Sequence, residues 1–399
     1  MKCSQLPQIG SSLAACRLRE YDFSNQENLQ VKKTLVALAA LAASTAAFAQ
    51  SAPASSVTLY GVIDASFTNV NKSAVGSFSG VTGSNVASSL WGMRGSENLG
   101  GGMRAVFTIE ADLDPTNGAF DGTPSGINSG ALFRRGSWVG LAGGFGEITF
   151  GRRLNPMILN MIQNQVLNSN STTVATAAAV NAADFWVKNA ITYTSPAMSG
   201  LTIQAQYAPS NIAGQDSNGT VTAFAGRFVQ GGLEVHASMQ DLSVAPGGNA
   251  AAGNTPATAA GKKSQLIGAK YTMGPLSFAA TSFESKQNAP VPVAASLVKR
   301  DGYNVAVGYN FSKQLATAVQ YTEVNNSAGS SASMISLQAR YALSPRSSLY
   351  GMGNFVSQGT AAVAANAQTI LPAWGARGSA AGLAGADQQA LSVGVIHRF

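Results

Sequence analysis

The feature that most constrains this chain is an alternation of apolar and polar side chains with a period of two residues, which recurs along most of its length. Between residues 103 and 110, Met103, Ala105, Phe107 and Ile109 alternate with Arg104, Val106, Thr108 and Glu110. Successive side chains of a β-strand point to opposite faces, so the pattern predicts strands with two unlike faces. A soluble sandwich would show the same period. Strand length and the connections between strands must decide between the two.

Short turns rich in Gly, Pro and Asn punctuate the alternation. They lie at 98–102, 142–146, 195–200, 229–232, 273–275, 310–314 and 342–346. Longer Ser/Thr/Ala/Gly/Asn-rich segments, such as 246–263, 288–301 and 358–387, lie between them. Seven short turns joining eight long-loop hairpins require sixteen strands. The chain is therefore predicted to be all-β, a 16-stranded antiparallel transmembrane β-barrel with short periplasmic turns and long extracellular loops. A barrel of this size encloses water.

Composition agrees with a membrane barrel and excludes several other classes. Charged residues make up 11% of the chain, against roughly 25% in soluble globular proteins, and the mean hydropathy is +0.09. The low charge argues against intrinsic disorder, and the thinly spread net charge of +7 argues against nucleic-acid binding. No apolar stretch of about 20 residues lies beyond the N-terminal region, which excludes a helical membrane protein.

The N-terminal region carries an export signal. Lys32 and Lys33 form a basic segment, residues 35–43 are apolar, and Ala47-Phe48-Ala49 is an A-x-A cleavage site. We therefore predict a signal peptide at 31–49 and a mature barrel over 50–399. Residues 1–30 show no such pattern, and we interpret them as a prefix from a start assigned too far upstream, with Val31 as the initiator. The alternative is that residues 1–30 belong to an unusually long N-terminal region of the signal peptide.

Both cysteines, Cys3 and Cys16, lie in this prefix, so the predicted mature chain has no thiol. This excludes disulfides, zinc-thiolate sites and cysteine nucleophiles together. Five of the 25 basic and three of the 18 acidic residues precede Gln50, which leaves 20 and 15 and a net charge of +5.

The last segment alternates Leu391, Val393, Val395, His397 and Phe399. An amphipathic final strand that ends in Phe at the carboxyl terminus is the pattern presented to outer-membrane barrel assembly. Phe399 is therefore predicted to be an assembly signal.

Five motifs occur in order along the predicted mature chain. They are the segments 57–64 (VTLYGVID), 91–104 (WGMRGSENLGGGMR), 138–152 (WVGLAGGFGEITFGR) and 191–196 (ITYTSP), and the terminal HRF of 397–399. Together they resemble the general-diffusion porins of Gram-negative bacteria, especially the β-proteobacterial branch. The resemblance implies a homotrimer of sixteen-stranded barrels, each a water-filled channel for ions and small hydrophilic solutes. It also implies that the third loop, about residues 154–185, folds inward as a constriction. The partners expected are outer-membrane lipid and lipopolysaccharide and the barrel-assembly machinery, with no nucleic acid and no cofactor.

Charged side chains at such a constriction set ion preference, because basic rings favour anions. The candidate pore-lining residues are Arg94, Arg104, Glu110, Arg135, Asp184, Trp186 and Lys188. Arg135 matches the family's basic ladder, but Leu90 and Trp186 stand where further arginines are expected, and Arg94 and Lys188 share their strand faces. Arg152 matches a position that can lie toward the subunit interface. We expect a mild anion preference.

An enzyme is not expected. The chain has two histidines, His236 and His397, and no G-x-S-x-G motif. His236 and Glu234 are too few ligands for a metal site. Two alternatives stay open: a substrate-selective channel of the same fold, with Trp186 and the apolar loop residues Met157, Ile158, Leu159, Met161 and Ile162 as a contact surface, and an adhesin or phage-receptor barrel.

Overall fold

The structure, a computed structural model, describes residues 55–73, 76–120, 131–167, 185–211, 213, 219–243, 261–287, 298–327, 331–358 and 387–399. These residues form seventeen strands and one helix. The strands are β1 (Ser56–Ser73), β2 (Gly76–Gly83), β3 (Leu90–Gly100), β4 (Met103–Asp112), β5 (Gly136–Gly143), β6 (Gly146–Leu154), β7 (Trp186–Thr194), β8 (Leu201–Ala208), β9 (Thr220–Gln230), β10 (Leu233–Ser243), β11 (Lys262–Met273), β12 (Leu276–Gln287), β13 (Val298–Asn310), β14 (Leu315–Asn326), β15 (Ser331–Ala342), β16 (Ser347–Gln358) and β17 (Gln388–Arg398). The helix, α1, spans Pro156–Gln163. No helix in these ranges is long and apolar enough to cross a membrane.

The strands form one closed antiparallel barrel with sixteen positions. Apart from β2 and β3, each strand pairs with the next along the chain, and β17 returns to pair with β1, so that Ala65 lies opposite Val395. The long β1 pairs with β3 over its first half and with β2 over its second half. Since β2 and β3 lie end to end beside the same strand, seventeen segments fill sixteen positions. The predicted 16-stranded barrel is confirmed.

The two faces of the wall differ as the alternation predicts. Met239 and Ile267, on neighbouring strands, point outward and are 56% and 60% exposed. On the same two strands, Gln240 and Ser264 point inward and lie directly opposite each other. Closure puts every strand edge in a ladder, which satisfies the backbone polar groups where the barrel crosses lipid.

All seven predicted short turns join consecutive strands at one end of the barrel. In the turn between β3 and β4, Gly100, Gly101 and Gly102 have φ of +81°, +58° and +79°, a conformation that glycine adopts without steric cost. At the other end, the expectation of eight long loops is wrong at two connections. Only residues 74–75 separate β1 from β2, and only 327–330 separate β14 from β15. At these two connections the Ser, Thr and Asn residues extend the paired strands instead of forming a loop. They can do so because a strand face in contact with water accepts polar side chains.

The seam between β17 and β1 is closed on both faces by an aromatic ring lying over a glycine. Outside, the ring of Phe399 covers Gly61, where a Cβ would find no room, and the two residues exchange backbone hydrogen bonds. Inside, the ring of Tyr350 covers Gly394 and its hydroxyl donates to Asp64 Oδ1 at 2.7 Å. The C-terminal residue is therefore part of the closed ladder.

Candidate functional site: the third loop and the charged wall of the lumen

The third loop leaves β6 and enters α1 at once. The side chain of Asn155 caps the helix by accepting a hydrogen bond from the backbone N of Met157 at 2.9 Å, and Pro156 follows at the first helical position. Asn is a favoured cap residue, and proline at this position loses no intrahelical bond. The local sequence therefore starts a helix immediately after the barrel strand ends.

Three asparagine amides attach this segment to the lumen side of β9–β12. Asn155 Nδ2 donates to Gln240 Oε1 at 2.7 Å. Asn160 Nδ2 donates to the backbone oxygens of Gly226 and Ala237 at 3.2 and 3.1 Å. Asn164 Nδ2 donates to Ala280 O at 3.0 Å and to Thr281 Oγ1 at 2.6 Å. The described part of the loop, residues 155–167, thus lies against the inner wall.

The apolar side of α1 is buried in the same contact. Met157 and Ile158 are fully buried and Met161 is 5% exposed, in a cluster that includes Leu266 and Phe283 of the wall. Their spacing along α1 makes one apolar face. These three side chains are used in packing and are not available as a contact surface for a solute, whereas Leu159, Ile162 and Trp186 are partly exposed.

A charged cluster occupies the lumen side of β4 and the start of β5. Arg135 Nε and Nη1 lie 2.6 Å from Glu110 Oε1 and 3.2 Å from Asp112 Oδ1. Arg134 Nη2 lies 2.5 Å from Asp112 Oδ2, with both side chains almost fully buried. Burial alone would lower the pKa of the Arg135 guanidinium, but Asp112 and Glu110 outweigh it and raise the pKa above its ordinary value. Arg135 therefore stays charged, and both carboxylates are paired.

Three arginines on this side stack on aromatic rings. The Cζ atom of Arg135 lies 4.6 Å from the ring centroid of Trp186, that of Arg94 lies 5.2 Å from Tyr60, and that of Arg153 lies 4.6 Å from Trp138. Such contacts stabilise a cation over a ring by about 0.5–2 kcal/mol. Trp186, at a position where an arginine was expected, thus orients another arginine.

A second charged group lies under the end of α1. Glu234 accepts from Arg227 Nη2 at 2.6 Å and pairs with Lys270 Nζ at 3.0 Å. Lys270 also donates to Gln163 O of α1 at 2.6 Å. His236 lies beside them, fully buried. The group links β9, β10 and β11 to the third loop.

The strand register shows which other charged side chains point into the lumen. Among the described residues, the inward acids all have partners: Glu110, Asp112 and Glu234 as above, Glu147 with Arg153 at 2.7 Å, and Asp64 with Tyr350. The inward cations are more numerous: Arg94, Arg104, Arg134, Arg135, Arg153, Arg227, Lys262, Lys270, Arg300, Arg340 and Arg398. Of these, Arg94, Arg104 and Arg398 are exposed and have no carboxylate partner in the described part of the chain. The lumen therefore carries a positive surplus.

Val187 is fully buried in a cluster with Ala190 and Leu242. Close by, a bulge at Asn189, whose φ is +54°, shifts the register between β6 and β7. Alternation therefore cannot be used to assign Lys188 to the pore lining, and that assignment stays a prediction. Asp184 lies outside the described residues.

Arg152 is opposite Ser137, on the outer face shared with the 57%-exposed Val139. Its Nε donates to Arg134 O. The adjacent Arg153 points inward. The resemblance gives Arg152 only as a position that can lie toward a subunit interface, and this stays a prediction.

Sequence reasoning missed Arg134, Asp112 and Arg153. Asp112 continues the Arg104–Glu110 face by one more step of two, a signal that was present in the sequence. Arg153 was not accessible in this way, because the ladder shifts between Gly151 and Arg153 and reverses the alternation.

The profile of the family described as Gram-negative porin matches residues 34–361, more than half of the chain. The chain belongs to the Gram-negative porins. Outer membrane porin protein 32 of Delftia acidovorans is 30% identical to this porin over 387 residues, which cover 92% of the chain and all of that protein. Major outer membrane protein P.IB of Neisseria meningitidis serogroup B is 30% identical over 193 residues, 47% of this chain and 53% of that one.

Solved structures agree. The anion-selective porin from Comamonas acidovorans matches with a TM-score of 0.72 and 26% identity, over 86% of this chain and the whole of that one. This porin is therefore a multi-pass β-barrel of the outer membrane, and the resemblance that its sequence motifs carry is confirmed.

Proposed function

We propose that this porin is a water-filled channel for passive diffusion of ions and small hydrophilic solutes, with a mild preference for anions. The observation that carries the preference is the pairing of the described inward carboxylates, while Arg94, Arg104 and Arg398 remain exposed without such partners. A lumen with surplus basic charge concentrates anions. The solved relative named as anion-selective supports the same sign.

The test is single-channel recording in planar bilayers, followed by the zero-current potential under a KCl gradient. We expect large, nearly ohmic steps and a potential of anion-selective sign, larger in dilute salt because screening extends only about 8 Å at physiological ionic strength. A cation-selective potential would refute the charge assignment. Solute-dependent block would favour a substrate-selective channel, and the absence of steps would favour an adhesin. Neither the family nor the site suggests an enzymatic activity.

The channel is further proposed to assemble as a homotrimer in contact with outer-membrane lipid and lipopolysaccharide. Support comes from the outer-face position of Arg152 and from the apolar outer wall. Arg152→Glu should lower the fraction of trimer on semi-native gels, whereas Lys313→Glu in an exposed turn should leave it unchanged. An unaffected trimer in the Arg152 variant would remove that residue from the interface.

Phe399 is proposed to act in assembly, through the barrel-assembly machinery and the seam. Its ring covers Gly61, and the two backbones are hydrogen-bonded. Deletion of Phe399, or Gly61→Leu, should reduce the yield of heat-modifiable barrel while inserted molecules keep the parent conductance. A normal yield of both would contradict this role.

The predicted mature start at Gln50 is checked separately by intact mass of outer-membrane material, where retention of residues 1–30 would disprove it.

A further inference from the structure

The six residues Ser84–Ser89 join β2 to β3 and are called the inward bend below. On one side of it Gly83 pairs with Ala65, and on the other Leu90 pairs with Val62. Only Ile63 and Asp64 of β1 therefore lie opposite six residues of chain. The residues in excess of these two cannot pair with β1, so they must leave the plane of the barrel wall.

The partners of the inward bend show that it leaves the wall toward the lumen. Asp64 points inward, and its Oδ2 accepts from the backbone N of Val86 at 2.8 Å and of Ala87 at 2.7 Å. Val86 packs in a cluster with Tyr350, Met352 and Ile396, which are inward residues of β16 and β17. The inward bend thus lies over the lumen face of β1, β16 and β17.

The amide of Asn85 holds the base of the inward bend. Its Nδ2 lies 2.8–3.2 Å from four side-chain hydroxyl oxygens, those of Ser66, Thr68, Thr82 and Ser392. The hydroxyls of Thr68 and Ser392 are themselves 2.8 Å apart, across the seam of the barrel. This buried network is fully connected, which makes for a single, rigid arrangement.

The two ends of the inward bend are tied together. Ser84 Oγ accepts from Ser89 N at 2.8 Å, and Ser89 Oγ accepts from Asp64 N at 2.9 Å. Ser84 has a φ of +64°, which is uncommon for a residue other than glycine and is maintained by this surrounding structure. The chain reversal is therefore anchored at both ends.

The position of the inward bend along the barrel axis follows from its contacts with β4 and the residue after it. Ser89 O accepts from Leu113 N at 3.0 Å, and Leu90 lies opposite Asp112. Asp112 is the carboxylate that pairs with Arg134 and Arg135. The inward bend thus borders the charged cluster, at the same level of the barrel.

Only the apex of the inward bend, Ala87 and Ser88, is partly exposed, since its four other residues are buried. We propose that the inward bend is a second pore-narrowing element, supplied by the barrel wall and independent of the third loop, whose small uncharged apex faces the permeating ions beside the arginine cluster. Side-chain size and charge at Ala87 then set conductance and ion preference at this level. The inference rests on the proposed channel function.

A unique thiol at the apex tests this. Ala87→Cys is made with Cys3→Ser and Cys16→Ser, so that the introduced thiol is the only one whatever the processing of the N-terminus. In a bilayer, an anionic methanethiosulfonate reagent should lower conductance and shift the zero-current potential toward cation selectivity. A cationic reagent of similar size should lower conductance and shift the potential the opposite way.

Leu343→Cys, in an exposed turn between β15 and β16, is the matched control and should be labelled without either change. Ser88→Cys is the second variant, should Ala87→Cys fail to form heat-modifiable barrel. A parent without steps would overturn the channel function itself. A conducting variant whose apex thiol does not react, or whose conductance and potential stay unchanged after labelling verified by mass, would overturn the inward bend as a pore-narrowing element.

Discussion

Two sides of one lumen are stabilised in different ways. On the side of β9–β12, α1 and the residues that follow it cover the wall, held mainly by amide hydrogen bonds and a buried apolar face, with Lys270 as a charged donor to α1. On the side of β3–β6 the wall carries arginines paired with carboxylates and stacked on aromatic rings. We propose that the first side sets how much of the cross-section is open and that the second sets the electric field in the open part. Amide and apolar contacts are insensitive to salt, whereas exposed charges are screened by it.

The largest effect is expected from overpacking the covered side. A Cβ on Gly268 would come within 2.5 Å of Asn164 Nδ2, so Gly268→Leu should destabilise docking of the loop by about 1–3 kcal/mol. Because the barrel wall lies behind it, the segment can move only toward the lumen. Single-channel conductance should fall and closures should appear. Gly351→Leu, where a Cβ meets open space, is the control, and equal conductance in the two variants would contradict the packing described for the loop.

A smaller loss is expected when one attachment of α1 is removed. Asn160→Ala deletes the amide that donates to Gly226 O and Ala237 O. Both oxygens lie on paired strands, so the cost should be close to that of one hydrogen bond, about 1 kcal/mol. Brief closures should become more frequent while the open conductance stays at the parent value. Asn310→Ala, in an exposed turn, should show no such change; if it matched Asn160→Ala, the attachment would have no special role.

On the charged side, two reversals should differ at neutral pH. Arg94→Glu places its new charge at an exposed site and should shift the zero-current potential strongly toward cations. Arg135→Glu places its new charge in a largely buried cluster where Arg134 remains as a cation. Its shift should therefore be smaller, because Arg134 offsets part of the new charge and burial keeps it from direct contact with the permeating ions.

The potential is measured for both variants, with Lys313→Glu as the control outside the lumen. A shift in Arg135→Glu equal to that of Arg94→Glu would show that burial of the cluster does not reduce its effect on the permeating ions. No shift at all would show that Arg135 does not act on the permeating ions.

Strands and turns could be predicted because both depend on residues close in sequence. The alternation at 103–110 and the glycines at 100–102 are local signals, and they are enough to number the strands. Alternation predicts which face of the wall a side chain occupies only where it is unbroken, as it is at Arg94, Arg104 and Glu110. At the bulges near Arg153 and Asn189 the period slips by one residue, and this brings Arg153 to the face that carries Glu147.

The sequence by itself determined that the chain is a barrel of sixteen strand positions, because a period of two and tight turns are properties of short segments. Tertiary structure alone decided which charges are neutralised, since Arg135, Asp112 and Trp186 meet only after the four strands β4–β7 pair. It also decided that six residues between β2 and β3 must enter the lumen. This follows only from the strand pairing, because β1 has just two residues opposite these six.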